Sequence, residues 1–209
     1  MYSKQAQGLI DKLEAEYGKP ECALNFMTPF QLLVCVILSA QCTDVRVNIV
    51  TKELFKICDT PEGFAEMPEE ELQGYIRTCG YFRGKAKSII SASKDIVRRF
   101  GGRVPDNKED LMSLRGVGLK TANVVMSEAF KVQSIAVDTH VFRVSRRLGI
   151  AEASTPDKVT AELMECLDPQ KWSDAHHLMI YHGRNVCKSQ KPKCNECVLK
   201  DKCRFFLSH

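Results

Sequence analysis

The sequence predicts an all-α fold, because helix start signals and helically spaced apolar residues recur along the chain, whereas alternating strand patterns are scarce. No strong internal repeat or low-complexity segment interrupts this pattern. A chain of 209 residues can form one large domain or two small ones around a buried core. Its apolar and charged fractions of 44% and 27% are typical of a soluble globular protein.

The first helix signals stand at Thr28 and Pro29. Thr28 is a good N-cap residue, Pro29 suits the first helical position, and Gln31 completes a capping box. The stretch from Leu32 to Ala40 is apolar on all sides. We therefore expect a central, buried helix here.

Later helices are marked in the same way. The Met67-Pro68 pair precedes three glutamates, which the helix dipole favours in a first turn. Helically spaced apolar residues predict a helix over residues 85–100, and a glycine pair ends it. The Thr155-Pro156 pair opens a further helix, and Ser173 or Asp174 opens one more.

The segment from Asp106 to Ala129 predicts two helices joined by a glycine-rich turn. Asp106 is the expected cap of a short helix over residues 108–114, and a second helix begins near residue 119. Gly116 and Gly118 permit positive φ and a close approach of the backbone to another molecule. Free N–H groups at the start of the second helix attract phosphate, which is contacted without reading base sequence. The alternative is a structural corner whose glycines serve the turn alone.

Lys120 lies in the first turn of this second helix, where the helix dipole disfavours its charge. Partial burial there would further favour the neutral amine, which is the form that attacks an electrophilic carbon. A surface lysine that contacts phosphate as a point charge is an equally weighted alternative.

An apolar run precedes Asp138, and the pattern predicts that Asp138 is the N-cap of a helix that continues through Leu148. Aspartate is among the preferred caps, so a purely structural role is the main alternative to catalysis. His140 follows two residues later as a base, a phosphate contact or a structural residue, and the structural role is favoured.

Four cysteines near the carboxyl end, spaced C-x6-C-x2-C-x5-C, can all reach one metal centre. Common zinc folds use two close pairs separated by a longer loop, whereas only one close pair exists here. The spacing also differs from the common ferredoxin patterns. We therefore predict a metal site and favour iron–sulfur modestly over zinc. The four residues are Cys187, Cys194, Cys197 and Cys203.

Positive charge is concentrated near the carboxyl end of the chain. The net charge of +4 is modest, but the segment from Arg184 to Arg204 carries seven basic and two acidic residues, hence +5. This excess of positive charge offsets thiolate charge or belongs to a solvated surface.

The six other cysteines are expected to be reduced packing residues. They are Cys22, Cys35, Cys42, Cys58, Cys79 and Cys166.

The N-terminus and the apolar stretches carry no signal for secretion or membrane insertion. Residues 1–17 carry both charge signs and lack the apolar segment of a signal peptide. The longest apolar stretch, Leu32 to Leu38, is far too short to span a bilayer. We therefore expect an intracellular, cytoplasmic protein, nucleoid-associated if bacterial, without a membrane partner.

In combination these motifs resemble the endonuclease III family of DNA glycosylases, within the helix–hairpin–helix superfamily. They occur in the family's order over most of the chain, and their combination is highly specific although no single motif is. The matching pieces are residues 38–44 (LSAQCTD), Gly80 with residues 85–87 (KAK), residues 114–125, residues 137–140 (VDTH), residues 182–184 (HGR) and the four cysteines.

The resemblance implies two helical domains with the active site in the cleft between them. Residues 22–132 would form a helical barrel with the helix–hairpin–helix motif, and residues 1–21 with 133–209 an iron–sulfur cluster domain. It further implies that the four cysteines ligate a [4Fe–4S] cluster, that Lys120 is the nucleophile and that Asp138 is the catalytic carboxylate.

The same resemblance implies a set of DNA contacts. Gln41 looks like the residue that fills the gap left in the duplex, and Tyr81 occupies the neighbouring wedge position. A basic loop over residues 188–193 faces DNA. The implied contact residues are Gln41, Tyr81, Gly116, Gly118, His140 and Lys191.

Two features depart from the family's pattern. Cys42 stands where the family more often has threonine, and residues 81–84 (YFRG) are one variant of a variable loop. Both bear on base preference and strand insertion rather than on the chemistry.

The implied function is base excision repair by a monomeric DNA glycosylase and AP (apurinic/apyrimidinic) lyase. It would excise oxidised pyrimidines from double-stranded DNA and nick the strand 3′ to the abasic site by β-elimination through a lysine Schiff base. One alternative is a monofunctional adenine glycosylase, which typically lacks a lysine at the position of Lys120. Another is a non-catalytic iron–sulfur protein for DNA binding or redox sensing.

Overall fold

The computed structural model describes residues 3–208, which contain twelve α-helices, three short 3₁₀ segments and no strand. The predicted all-α class is therefore confirmed. Residues 1, 2 and 209 of the predicted domain ranges lie outside the described residues. The helices are α1 (Lys4–Tyr17), α2 (Pro29–Ser39), α3 (Asp44–Ile57), α4 (Pro61–Glu66), α5 (Glu69–Ile76), α6 (Phe82–Phe100), α7 (Lys108–Ser113), α8 (Leu119–Glu128), α9 (Thr139–Leu148), α10 (Pro156–Cys166), α11 (Trp172–Asn185) and α12 (Arg204–Leu207).

The chain divides into two compact units. One, here the central unit, comprises Cys22–Val132 and holds α2 to α8. The other, here the terminal unit, combines the segment up to Glu21 with the segment from Gln133 onwards and holds α1 and α9 to α12.

Helix α2 lies at the core of the central unit, where it packs against α3, α6 and α8. Every residue from Phe30 to Leu38 is buried, which confirms the predicted buried helix. Thr28 caps α2 as predicted, because its hydroxyl accepts from the Gln31 N–H. The Gln31 side chain, however, accepts from the N–H of Met27 rather than from that of Thr28, so it closes the cap one residue earlier.

Two helix starts differ from the sequence prediction by one residue each. Asn107, not Asp106, caps α7 and accepts from the Asp110 N–H at 2.9 Å, because the helix begins at the residue directly after it. Helix α11 begins at Trp172, before Ser173 or Asp174, because a 3₁₀ turn over Pro169–Lys171 leads straight into it.

The terminal unit is built around α1, α9 and α11, and α11 packs against both other helices. Leu9, Ile10 and Leu13 of α1 join a buried cluster with residues of α9 and α11 such as Val144 and Leu178. None of the helices within residues 3–208 is long and apolar enough to cross a membrane.

The turn before α8 supplies a test of local backbone strain. Gly116 has φ 84°, and a Cβ there would lie 2.7 Å from the Ser88 Cβ, whereas Gly118 has φ −96° and open space around its Cβ position. We expect Gly116→Ala to lower the free energy of unfolding by about 2 kcal/mol or more through strain and overlap. Gly118→Ala should change it by less than about 1 kcal/mol.

Urea unfolding followed by circular dichroism measures both values. Equal effects of the two substitutions would contradict this account of the turn.

Candidate functional site

The turn between α7 and α8 combines a buried anchor with an exposed tip. Leu111, Leu114 and Val117 are buried, whereas Gly116 and Gly118 are exposed. Of the two glycines that permit a positive φ, Gly116 adopts one (84°), whereas Gly118 has φ −96°. Gly118 instead occupies the N-cap position of α8, where no described side chain caps the helix. The first N–H groups of α8 thus face a surface that another molecule can approach closely.

Lys120 follows in the first turn of α8 and is exposed, so the expected partial burial is wrong for the free protein. Its position beside the N-terminus of the helix remains electrostatically unfavourable for an ammonium. Exposure leaves the amine accessible to a substrate.

Asp138 is the N-cap of α9, as the sequence predicted. Its Oδ1 accepts from the N–H groups of His140 and Val141, both at 2.8 Å. The cap uses only one carboxylate oxygen of a half-buried side chain, which fixes the orientation of the second oxygen. Asp138 belongs to the terminal unit and Lys120 to the central unit.

His140 and Arg143 lie on one face of α9 near Gly183 of α11. Arg143 donates to His140 Nδ1 at 3.1 Å, to the Gly183 carbonyl at 2.9 Å and to the Cys187 carbonyl at 3.0 Å. Burial lowers the pKa of His140, and nearby arginines lower it further against the opposing effect of Asp138. Because an arginine can only donate, its hydrogen bond to His140 Nδ1 requires the tautomer that carries its proton on Nε2. A Cβ on Gly183 would lie 3.0 Å from the His140 Cβ, so the close helix contact favours glycine.

Three of the predicted DNA contacts share an uncommon backbone conformation. Gln41, Tyr81 and Lys191 have φ values of 51°, 57° and 46°, and within residues 3–208 only Lys131 is a further non-glycine residue with positive φ. All three predicted contacts are exposed. The structure also brings the turns that carry Gln41 and Tyr81 together, because a Cβ on Gly80 would lie 3.1 Å from the Gln41 carbonyl oxygen. Such strained residues concentrate at functional sites.

The four cysteines of the terminal unit line one cavity with apolar neighbours such as Leu148 and Phe206. Burial raises the pKa of Cys197, and the charges of the other three thiols raise it further. Within residues 3–208, no three His, Cys, Asp or Glu side chains are arranged to hold a single metal ion.

Arg147 holds the first part of the cysteine segment, a role that the sequence did not suggest. It donates to Cys187 Sγ at 3.5 Å, to the Lys188 carbonyl at 2.7 Å and to the Ser189 carbonyl at 3.1 Å. The sequence feature that could have indicated this role is the spacing of Arg143 and Arg147, which are four residues apart and therefore share one helix face.

His182 connects the cysteine cavity to α1, which was also not anticipated. The Tyr17 hydroxyl lies 2.8 Å from His182 Nδ1, and His182 Nε2 lies 3.6 Å from Cys197 Sγ. Burial lowers the pKa of His182 to about 4 and raises that of Tyr17 to about 12. A neutral histidine that accepts from the tyrosine hydroxyl carries its proton on Nε2 and presents it to the sulfur.

The fold and these motifs define a base excision repair protein. Residues 34–169 match the profile of the HhH-GPD superfamily of base excision DNA repair proteins. Endonuclease III of Bacillus subtilis (strain 168) is 48% identical over 202 residues, which cover 96% of this chain and 92% of that protein.

Two solved structures are similar over nearly the whole chain. A non-covalent endonuclease III–DNA complex aligns with a TM-score of 0.95 and 42% identity, covering 100% of this chain and 98% of that chain. A trapped endonuclease III–DNA covalent intermediate aligns with a TM-score of 0.92 and 44% identity, covering 95% and 94%.

The chain belongs to the endonuclease III family, which confirms the resemblance seen in its motifs. It is a DNA glycosylase and AP lyase of base excision repair, and it binds DNA. It is accordingly an enzyme rather than a non-catalytic binding or sensing protein.

The bridging role of Arg143 can be measured. Arg143→Ala removes the charge-assisted hydrogen bonds to the Gly183 and Cys187 carbonyls and a longer one to the Thr139 carbonyl, and we expect a loss of about 2 kcal/mol in the free energy of unfolding. Arg143→Lys should recover only part of this, because an ammonium cannot reproduce the planar fork.

Arg98→Ala is the matched control, since Arg98 is 77% exposed and pairs only along its own helix with Asp95. Its cost should stay below about 0.5 kcal/mol in the same urea titration. Similar losses for Arg143→Ala and Arg98→Ala would show that the bridge does not stabilise the terminal unit.

Proposed function

We propose that this enzyme excises oxidised pyrimidines from double-stranded DNA and then nicks the strand 3′ to the abasic site through a Schiff base on Lys120. The observation that carries the proposal is the exposed Lys120 amine in the first turn of α8, directly after an uncapped glycine turn. The covalent DNA complex trapped with a relative of 44% identity supports covalent chemistry of this kind.

Substrate binding begins with the DNA backbone. A base stacked in a duplex is out of reach, so the damaged nucleotide is flipped out at a cost of a few kcal/mol. The N–H groups at the α7–α8 turn hold phosphates of the bent strand, and the open space at Gly118 admits their close approach.

Gln41 and Tyr81 occupy the space that the flipped nucleotide leaves. Both side chains are exposed at turns that contact each other through Gly80 and the Gln41 carbonyl. Their left-handed backbones hold the side chains in fixed directions, which suits insertion into a gap. His140 and Lys191 add contacts to the same DNA.

Lys120 then acts as nucleophile. The neutral amine attacks C1′ of the sugar, and the C1′–N bond to the base breaks as the base leaves with a proton. Loss of the amine proton and opening of the sugar ring give an imine between Nζ and C1′. The imine acidifies the C2′ proton, whose removal expels the 3′ phosphate by β-elimination.

Asp138 stabilises the positive charge that develops on the sugar and assists proton movement. Its Oδ1 is held by the two N–H groups of α9, so the carboxylate is positioned before substrate binds. Pre-organised charge of this kind requires little rearrangement in the transition state.

The terminal unit would carry a [4Fe–4S] cluster on Cys187, Cys194, Cys197 and Cys203. The donor set fits, because four thiols line one apolar-walled cavity and cysteine sulfur is the usual ligand of such clusters. When bound, the cluster supplies four iron–sulfur links that fix residues 187–203, together with redox-active iron. Arg147 and the backbone of this segment then present the basic loop over residues 188–193 to DNA.

The two compact units would correspond to the helical barrel over residues 22–132 and to the cluster domain over residues 1–21 and 133–209. We further propose that the protein acts as a monomer in the cytoplasm, where bacterial DNA is accessible. A monofunctional adenine glycosylase is disfavoured by the amine at position 120.

Borohydride trapping tests the nucleophile. Reduction during reaction with a lesion-containing duplex should convert the imine into a stable protein–DNA adduct, seen as a band of lower mobility on a denaturing gel. Lys120→Ala should give no adduct, because it removes the attacking amine, yet it should retain DNA binding. Lys94→Ala, which changes an exposed lysine of α6, should trap like the wild type. An adduct with Lys120→Ala would refute the assignment of the nucleophile.

Substitutions of Asp138 separate capping from catalysis. Asp138→Asn keeps an oxygen for both N–H groups but removes the charge, so we expect unchanged stability and an excision rate lower by about 10²-fold or more. Asp138→Ala should lose a similar rate factor and also about 1 kcal/mol of stability. Single-turnover excision and urea unfolding measure the two effects. If Asp138→Asn excised the base at the wild-type rate, Asp138 would be only a structural cap.

A further inference from the structure

Two thiols and an ammonium group lie behind the Gln41 and Tyr81 turns. Cys42 directly follows Gln41, and Cys79 lies two residues before Tyr81. The Cys79 thiol interacts with the Cys42 thiol. Lys85 interacts electrostatically with both sulfurs. None of these three residues has a role in the catalytic steps above.

The two cysteines differ in access. Cys79 is fully buried, whereas Cys42 is half-buried and packs against the core cluster that contains Cys79. The main chain also brings the residues next to the two cysteines close together, because a Cβ on Gly80 would lie 3.1 Å from the Gln41 carbonyl oxygen. An accessible thiol in contact with a buried one is the arrangement of an attacked and a resolving cysteine.

We propose that Cys42 and Cys79 form a reversible disulfide that ties the Gln41 turn to the Tyr81 turn and slows strand cleavage. The regulatory part rests on the proposed function, in which Gln41 and Tyr81 enter the DNA. A cross-link behind them limits the rearrangement of both turns during insertion.

The oxidant is a small-molecule disulfide such as oxidised glutathione. The Cys42 thiolate attacks one of its sulfurs, the disulfide bond breaks, and one glutathione leaves as a thiolate. The Cys79 sulfur then attacks the Cys42 sulfur of the mixed disulfide. The second glutathione leaves and takes up the Cys79 proton. The two protein thiols are oxidised, and one oxidised glutathione becomes two reduced molecules.

The surroundings of the pair favour this order of events. Burial and, to a smaller extent, the interaction with Cys42 raise the pKa of Cys79 to about 11, so Cys79 stays a thiol until Cys42 has reacted. The Lys85 ammonium beside both sulfurs attracts a thiolate. It is held there by a hydrogen bond of 2.8 Å from Nζ to the Leu38 carbonyl.

Peptide mapping of the intact, cluster-containing protein tests the bond. The protein is incubated with oxidised glutathione, digested without reductant and analysed by mass spectrometry. We expect a linked peptide pair that joins Cys42 to Cys79 and disappears after treatment with dithiothreitol. Cys42→Ser and Cys79→Ser should each abolish it. Cys58→Ser, which removes another half-buried thiol of the same unit, should retain it. No linked pair in the wild type, or linkage to another cysteine, overturns the proposal.

Strand cleavage of an abasic duplex tests the consequence. The oxidised wild type should cleave several-fold more slowly than the reduced protein, and dithiothreitol should restore the rate. Cys42→Ser and Cys42→Thr should cleave equally fast in both states. Iron content is measured alongside, so that damage to the cluster is not taken for cross-linking.

The outcomes separate the two proposals. A reduced protein that cleaves nothing would overturn the proposed function, while the peptide map would still decide on the disulfide. Unchanged cleavage by a fully cross-linked protein, or equal slowing of Cys42→Ser by oxidant, would overturn the regulatory role.

Discussion

The cap that Asp138 places on α9 is the interaction on which the terminal unit most depends. Its two hydrogen bonds of 2.8 Å set where α9 begins, and this start fixes the directions of the side chains that follow. Arg143 and Arg147, one and two turns further on, hold the backbone of the cysteine segment. The proposed catalytic carboxylate and the basic loop are therefore positioned by one helix, so a change at its N-terminus reaches both.

Some helices of the central unit begin with a side-chain cap, and others begin without one. Threonine or asparagine side chains cap α2, α3, α4 and α7 and satisfy an N–H group within the protein. Helices α5, α6 and α8 begin without a side-chain cap, and the N-cap of α8 is Gly118, which offers no side chain and leaves open space. A side-chain cap would make α8 more stable, but it would leave fewer free N–H groups to bind an anion. The absence of a side-chain cap at this turn is thus consistent with phosphate binding, at a modest cost in helix stability.

Local signals in the sequence account for the helices and for the candidate residues, but not for their long-range partners. Thr28 and Asp138 were predictable as caps because capping depends on residues three apart. Asp106 was preferred over Asn107 because both residue types cap equally well, and only the backbone decides between them. The exposure of Lys120 and the bond from Arg147 to the Lys188 carbonyl depend on packing between distant segments. No local pattern encodes such contacts.

Lys85 shows how the strained turns of the central unit are maintained. A buried ammonium is costly, yet its bond to the Leu38 carbonyl lies at the C-terminal end of α2, where the helix dipole favours positive charge. The same side chain fixes the chain that leads into Gln41, and Lys85 lies in the first turn of α6, which follows Tyr81. Two left-handed residues, each costing about 1–3 kcal/mol, persist because this buried anchor joins the segments that carry them. The Cys42 and Cys79 thiols lie at that junction, so a disulfide formed there would act on the Gln41 turn and the Tyr81 turn at once.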